Sequence, residues 1–187
     1  NLDGCVDTDG DGYGDNPNAP FPDTCPLESG NSELGGYGCP DTDKDGYGNN
    51  VDKFPVDSTQ WNDTDGDGYG DSDLGRNPDY CPEENGTSSK GGTLGCLDSD
   101  GDGWADIIDL YPTETNLWSD SDGDGFSDQL GHPTISDDCP GQIGDSTEMM
   151  RGCPDMDDDG IPDIYDDDTD GDGISNSIER QAGYNPY

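Results

Sequence analysis

Seven segments of nine residues each place three aspartates at alternate positions of a short loop. Every segment has Asp at positions 1, 3 and 5, Gly at position 6, a large apolar residue at position 7, and Asp or Asn at position 9. The segments begin at Asp7, Asp41, Asp63, Asp98, Asp120, Asp155 and Asp168. Carboxylates at this spacing repel one another unless a hard cation lies among them, and a loop that turns at Gly can deliver its oxygens to Ca²⁺. The pattern therefore predicts seven or more bound calcium ions.

The candidate ligands follow from where such a loop presents its oxygens. Ca²⁺ takes roughly six to eight oxygens at about 2.3–2.6 Å, here from the side chains at positions 1, 3 and 5, the position-7 carbonyl and later polar groups. In the first four loops the candidates are Asp7, Asp9, Asp11, Tyr13, Asp15, Asp41, Asp43, Asp45, Tyr47, Asn49, Asp52, Asp63, Asp65, Asp67, Tyr69, Asp71, Asp98, Asp100, Asp102, Trp104, Asp106 and Asp109. In the last three they are Asp120, Asp122, Asp124, Phe126, Asp128, Asp155, Asp157, Asp159, Ile161, Asp163, Asp166, Asp168, Asp170, Asp172, Ile174, Asn176 and Glu179.

Position 12, where an EF-hand loop carries its closing acid, divides the loops into two kinds. It is acidic in four of them, which carry Asp52, Asp109, Asp166 and Glu179 there. Glu179 matches the EF-hand spacing. Two other loops have Leu74 or Leu130 near that point, so we expect their closing ligands to come from elsewhere in the chain. The side chains at positions 9 and 12 could also share a second ion.

Six of the seven cysteines fall into pairs that repeat along the chain. Cys25 and Cys39, Cys81 and Cys96, and Cys139 and Cys153 each bracket a loop that opens with Cys-Pro and closes with Gly-Cys. Repeated pairs in a chain with little apolar material predict three disulfides and hence an extracellular or cell-surface setting. Zinc sites built from thiols are a weak alternative, because the spacing is long and the chain contains one histidine.

The seventh cysteine, Cys5, has the sequence context of the second cysteine in a pair. It follows Gly4, just as Cys39 follows Gly38. We expect its partner to be a cysteine upstream of residue 1 or a cysteine of a neighbouring chain.

Composition sets limits on both stability and partners. The chain has 46 acidic against 6 basic residues, a formal charge of −40, and 26% hydrophobic residues. Such a chain cannot bury enough apolar surface to fold by itself. Seven divalent ions add 14 positive charges and bring the formal charge to −26, so we expect disorder without calcium and order with it. Nucleic acid is excluded as a partner by the charge, and direct membrane insertion by the absence of a long apolar run.

The loops belong to a longer repeat. Cys39, Cys96 and Cys153 lie 57 positions apart, and Trp61 and Trp118 keep the same period. We therefore predict a partial repeat at 1–24, repeat units at 25–80 and 81–138, and a partial C-terminal repeat at 139–187 that contains the EF-hand-like loop. The predicted fold is mostly irregular, an elongated array stabilised by calcium and disulfides, in which each unit contacts its neighbours. One short helix is expected over 176–182, ending at Gly183.

The aspartate loops that alternate with Cys-Pro loops resemble thrombospondin type 3 repeats, and they are similar to the Asp-rich arrays of prokaryotic surface proteins. The resemblance covers essentially the whole chain. It implies a wire-like fold with ions as its core, bridged by disulfides, and roles in extracellular matrix or adhesion.

The favoured function is therefore an extracellular structural one, as a calcium-dependent stalk or a fibre-forming segment. The alternative is a calcium-dependent adhesion or ligand-binding module of a surface protein, which would need a further exposed site. A calcium sensor is a third possibility. Expected partners are calcium and more of the same array, or identical subunits end to end. No enzymatic activity is expected, because metal-bound acids cannot act freely and so small a core builds no cleft.

Two sequons predict N-glycosylation. They are Asn62-Asp63-Thr64 and Asn85-Gly86-Thr87. Asn85 lies in a disulfide loop and is the better candidate, whereas Asn62 adjoins a metal ligand.

Overall fold

The computed structural model describes residues 6–187, and Cys5 lies outside that range. Over the described residues the chain consists of turns, bends and extended segments, with one α-helix, α1 (Asn176–Ala182), and no named β-strand. Four isolated parallel bridges join Gly14 to Pro22, Gly35 to Tyr47, Gly70 to Pro78, and Ser127 to Ser136. The prediction of a mostly irregular chain with one short C-terminal helix is confirmed.

The chain divides into two units, Asn1–Ala105 and Asp106–Tyr187. The division falls within the predicted repeat unit at 81–138 and within the aspartate loop that begins at Asp98. The four repeat boundaries inferred from the 57-residue period stay a prediction.

The interior is small and mostly polar. Among the described residues, the buried hydrophobic side chains are Cys39, Cys96, Ala105, Leu117 and Cys153. Burial of apolar side chains thus contributes little to stability, and other interactions must offset the chain entropy.

Three disulfides supply part of that stabilisation. Cys25 is bonded to Cys39, Cys81 to Cys96, and Cys139 to Cys153, with Cα–Cα distances of 5.1 Å in each pair. The predicted pairing is confirmed.

A buried serine organises each disulfide loop. The hydroxyl of Ser32 accepts a hydrogen bond from the amide of Cys39 at 3.1 Å, and Ser88 accepts one from the amide of Cys96 at 2.9 Å. The hydroxyl of Ser146 accepts the corresponding bond in the third loop, at 3.0 Å. The three loops therefore share one local structure.

Helix α1 ends where its sequence predicts. Gly183 has φ +83°, a left-handed conformation that Gly adopts without steric cost. Its amide and that of Tyr184 donate to carbonyls of the last helical turn. The helix buries Asn176 and Glu179, both of which belong to the last aspartate loop. Within 6–187 no helix has both the length and the apolar character that a membrane span requires.

Candidate metal centres

Each aspartate loop is shaped by hydrogen bonds from its own backbone amides to its carboxylates. In the loop at Asp63, the amide of Gly66 donates to Oδ1 of Asp63 at 2.7 Å. The amide of Asp67 donates to Oδ1 of Asp65 at 3.1 Å, and the amide of Tyr69 donates to Oδ1 of Asp67 at 2.8 Å. The last two bonds recur in all seven loops. Short side chains that bond the backbone two residues on favour such turns over helix or strand.

Glycine at position 6 is required by the backbone. Its φ lies between +90° and +103° in the seven loops, at Gly12, Gly46, Gly68, Gly103, Gly125, Gly160 and Gly173. A residue with a Cβ is disfavoured at such φ. The position-6 amide also donates to the first aspartate, as Gly68 does to Oδ2 of Asp63 at 3.2 Å. This hydrogen bond ties the end of the triplet to the first aspartate.

The result is a set of convergent carboxylates. Among residues 6–187, five triplets each offer one oxygen per residue, with all three oxygens within 4.8 Å of one another, and two further groups of potential metal-ligating side chains meet the same condition. The five triplets are Asp7, Asp9 and Asp11; Asp41, Asp43 and Asp45; Asp63, Asp65 and Asp67; Asp98, Asp100 and Asp102; and Asp120, Asp122 and Asp124. Two oxygens bound to one calcium ion at about 2.4 Å cannot lie more than about 4.8 Å apart, so the spacing suits this cation.

Several of these oxygens are buried without a proton donor. Among the described residues, Oδ2 of Asp9, Asp65 and Asp122 at position 3 has no hydrogen-bond partner and almost no contact with solvent. Desolvation, followed by the charges of Asp67 and Asp63, raises the pKa of Asp65, although the amide of Asp67 opposes the shift. A buried carboxylate without a donor is costly unless a cation neutralises it.

The position-9 side chain has a different environment. Oδ1 of Asp71 accepts the amide of Thr64 at 3.0 Å, and its Oδ2 accepts the Thr64 hydroxyl at 2.6 Å. Desolvation raises the pKa of Asp71, but hydrogen bonds from Thr64 and Asn62 outweigh it, and the pKa is lowered. In five other loops the position-2 amide donates the equivalent bond to the position-9 side chain, which is Asp15, Asn49, Asp128, Asp163 or Asn176. Position 9 thus holds the loop closed, and its role as a metal ligand stays a prediction.

Three of the four acids at position 12, Asp52, Asp109 and Glu179, are buried, and their role as closing ligands stays a prediction. Asp52 is 8% exposed, and its Oδ1 accepts the amide of Phe54 at 2.7 Å. In the part of the chain that the structure describes, Oδ2 of Asp52, Oδ2 of Asp45 in the same loop, and Oε2 of Glu179 have no hydrogen-bond partner. Oδ1 of Asp166 accepts the amide of Asp168 at 2.8 Å.

The loop at Asp98 runs across the division between the two units. Its triplet lies in the first unit, where Gly103 donates to Oδ2 of Asp98 at 2.9 Å. Asp106 and Asp109 lie in the second unit, where Oδ1 of Asp109 accepts the amide of Tyr111 at 2.7 Å.

Three buried aspartates were missed by the sequence analysis. Asp23 and Asp79 are 6% exposed and Asp137 is fully buried. Each lies two residues before the first cysteine of a disulfide, in an Asp-x-Cys-Pro segment, and its Oδ1 accepts that cysteine's amide at 2.7 Å. Burial, then the charges of neighbouring loop aspartates, raises the pKa of each against this hydrogen bond. The recurrence of Asp-x-Cys-Pro was the available sequence signal.

The position-7 residues lie at the edge of the loops. Tyr47 stacks on Trp61 with ring centroids 5.3 Å apart and an interplanar angle of 3°. The ring centroids of Tyr13 and Tyr37 lie 6.2 Å apart, with the two rings tilted by 33°. These rings form local apolar contacts beside the carboxylates, and coordination by the position-7 carbonyls stays a prediction.

The two predicted glycosylation sites differ in their surroundings. The Asn62 side chain donates to Asp71 and to the hydroxyl of Thr64, so this sequon is part of an aspartate loop. Asn85 and Thr87 are both exposed. Glycosylation at either site stays a prediction.

A calcium ion fits the donor set at the loops. Every candidate ligand offers a side-chain or backbone oxygen, several of the carboxylate oxygens are buried without a proton donor among residues 6–187, and cationic side chains are too few to neutralise 46 acids. Arg76 lies 4.0 Å from Asp57, and His132 lies 3.8 Å from Glu114, but both acids lie outside the triplets. Bound calcium would supply positive charge at these oxygens and hold the loop turns together. Comparison with family models and with curated proteins finds no match to this chain.

Proposed function

We propose that this chain is an extracellular calcium-binding structural protein, a rigid stalk or fibre-forming segment whose fold depends on bound Ca²⁺. The observation that carries the proposal is the convergence of aspartate triplets whose buried oxygens have no proton donor in the described part of the chain. Such oxygens recur in loops along the chain, as at Asp9, Asp65 and Asp122. The likeness of the loops to thrombospondin type 3 repeats is part of the same proposal.

Calcium takes the place that an apolar core has in other proteins. With five buried hydrophobic residues in the described part of the chain, apolar burial offsets little of a conformational entropy cost of about 1–2 kcal/mol per residue. Metal binding by a chain that is unfolded without the metal is itself folding free energy. Because the aspartates are distributed along the sequence, the ions would stabilise each segment locally.

Two observations favour a structural role outside the cell. Three disulfides in a chain of 187 residues are typical of proteins from oxidising compartments. Calcium is millimolar outside cells, about the range in which extracellular modules bind, so the sites would be occupied continuously rather than switched. A permanently loaded array of short loops suits a spacer or a fibre.

The test is small-angle scattering and circular dichroism of the purified chain in calcium and in excess EDTA. We expect a defined, elongated particle in calcium, and in EDTA a radius of gyration that rises towards the roughly 46 Å of an unfolded chain of this length. Magnesium at the same concentration serves as control, because its strict octahedral geometry suits these loops less well. Scattering curves that coincide in calcium and EDTA would overturn the proposal.

Electron microscopy addresses the fibre. Under calcium, the structural role predicts rods or filaments of uniform width that disappear on chelation. Compact round particles in calcium would contradict a stalk and favour the adhesion-module alternative.

A further inference from the structure

We propose that Asp23, Asp79 and Asp137 each supply the closing carboxylate of a calcium site whose loop has no acid at position 12. These sites would be discontinuous, because the closing residue lies beyond an intervening segment and immediately before a disulfide. The inference rests on the proposed calcium-binding function and specifies three of its sites.

The backbone brings each closing aspartate back to its loop. The amide of Asp79 donates to the carbonyl of Gly70, at position 8 of the loop at Asp63, over 2.9 Å. An isolated parallel bridge pairs Gly70 with Pro78. The same arrangement recurs twice. The amide of Asp23 donates to the carbonyl of Gly14 at 3.0 Å, and the amide of Asp137 donates to the carbonyl of Ser127 at 2.8 Å.

At two of the three sites, the closing side chain lies close to a carboxylate of the loop. A Cβ built on Gly95 would lie 2.3 Å from Oδ1 of Asp79 and 3.0 Å from Oδ2 of Asp67, so the two carboxylates flank the same point. A Cβ on Gly38 would likewise lie 2.7 Å from Oδ1 of Asp23 and 3.0 Å from Oδ2 of Asp11.

The second oxygen of each closing aspartate requires an explanation. While Oδ1 accepts the cysteine amide, Oδ2 of Asp23, Asp79 and Asp137 is buried, and no hydrogen-bond partner for it is found among residues 6–187. All three side chains are more than nine-tenths buried. A turn that needed only the Oδ1 bond would be served equally well by asparagine, without the cost of burying a charge. A cation between this oxygen and the triplet removes that cost.

A second contact joins the same disulfide loop to the same triplet. Oδ2 of the third aspartate accepts an amide from the disulfide loop: Asp11 from Gly30 at 3.1 Å, Asp67 from Gly86 at 3.2 Å, and Asp124 from Gly144 at 3.0 Å. The aspartate loop and the disulfide loop are therefore parts of one site in all three places.

The decisive variant is Asp79→Asn, which keeps the Oδ1 acceptor and removes the anionic Oδ2. Asp73→Asn is the matched control, because Asp73 is exposed, lies in the same segment, and loses the same charge. Calcium titration calorimetry on the intact chain should show one site weakened about tenfold or more in D79N, since affinity follows ligand charge. D73N should bind like the wild type. Equal binding by D79N and D73N would overturn the inference.

A third variant guards against misfolding as the cause of weak binding. Asp79→Glu restores a carboxylate, so we expect it to bind calcium more tightly than D79N; equally weak binding by both would overturn the inference. If the wild-type chain itself binds no calcium, the proposed function fails. If the wild type binds and D79N matches it, the assignment of Asp79 alone fails. Asp23→Asn and Asp137→Asn repeat the comparison at the other two sites.

Discussion

The amide of Gly86 donates a hydrogen bond of 3.2 Å to Oδ2 of Asp67, across 19 residues of sequence. Gly86 lies inside the loop closed by Cys81 and Cys96, and Asp67 is the third aspartate of a loop whose carboxylates could hold a metal ion. The bond places the disulfide loop in direct contact with the carboxylate cluster. If the loop binds calcium as proposed, we expect the oxidation state of the disulfide and the calcium affinity of this site to be coupled.

Removal of the Cys81–Cys96 disulfide should weaken both stability and calcium binding. In the double variant Cys81→Ser/Cys96→Ser, we expect a loss of about 3 kcal/mol in the free energy of unfolding in calcium, from the entropy of a loop of this length. Chemical denaturation monitored by circular dichroism measures it. Calorimetry should also show a lower calcium affinity at one site or more, because the disulfide loop that contacts Asp67 is no longer constrained. Unchanged calcium affinity would show that the two loops are independent.

The sequence predicted the disulfides and helix α1 because both depend on local features. Each pair of cysteines lies 14 or 15 residues apart, and each closes a loop with the same ends. The helix end depends on Gly183, whose left-handed φ is a property of one residue.

The proposed closing aspartates were not predicted from the sequence, because their position depends on contacts between separate segments. Asp79 is placed beside its loop by the pairing of Gly70 with Pro78 and by the bond from its own amide to Gly70, contacts that the spacing of the aspartates does not reveal. From their spacing alone, all acids of a loop are equivalent candidates for metal ligands. The structure separates Asp71, whose oxygens are satisfied by Thr64, from Asp65, which has a buried oxygen without a donor in the described part of the chain.

Loss of a single buried hydroxyl should destabilise a disulfide loop. Ser88 is fully buried; its Oγ accepts the amide of Cys96 at 2.9 Å and donates to the carbonyl of Thr93. Ser88→Ala leaves both backbone groups without that partner, at a cost of about 1–3 kcal/mol. Ser89→Ala is the control, because Ser89 is exposed, and its effect should stay within about 0.5 kcal/mol. Urea denaturation in calcium measures both, and equal midpoints would contradict the assignment.

Tryptophan fluorescence should report the state of the loop at Asp41. Trp61 stacks on Tyr47, the position-7 residue of that loop, and is 37% exposed. In a Trp104→Phe/Trp118→Phe background, chelation should release the loop, separate the rings and shift the Trp61 emission to longer wavelength. Tyr47→Ala should show a smaller change on chelation, because its stack is already lost. Emission that is insensitive to EDTA in the parent background would mean that this loop keeps its structure without calcium.

Alanine at position 6 should be costly in every aspartate loop, and by an amount that depends on the neighbours. Gly68 has φ +97°, and a Cβ there meets nothing within 4 Å, so Gly68→Ala costs backbone strain alone, about 1–2 kcal/mol. Gly46 has φ +103°, and its Cβ would lie 2.9 Å from Leu34, so Gly46→Ala should cost more.

Gly141→Ala is the control for both glycine variants. A Cβ at Gly141 also meets nothing within 4 Å, and its φ lies outside the left-handed region, so this change should be neutral or slightly stabilising. Denaturation midpoints in saturating calcium should therefore fall in the order G141A, G68A, G46A. Because strain at position 68 also disturbs the hydrogen bond from its amide to Asp63, G68A should bind calcium more weakly than G141A. A G68A midpoint equal to that of G141A would show that the left-handed turn is not needed to assemble the site.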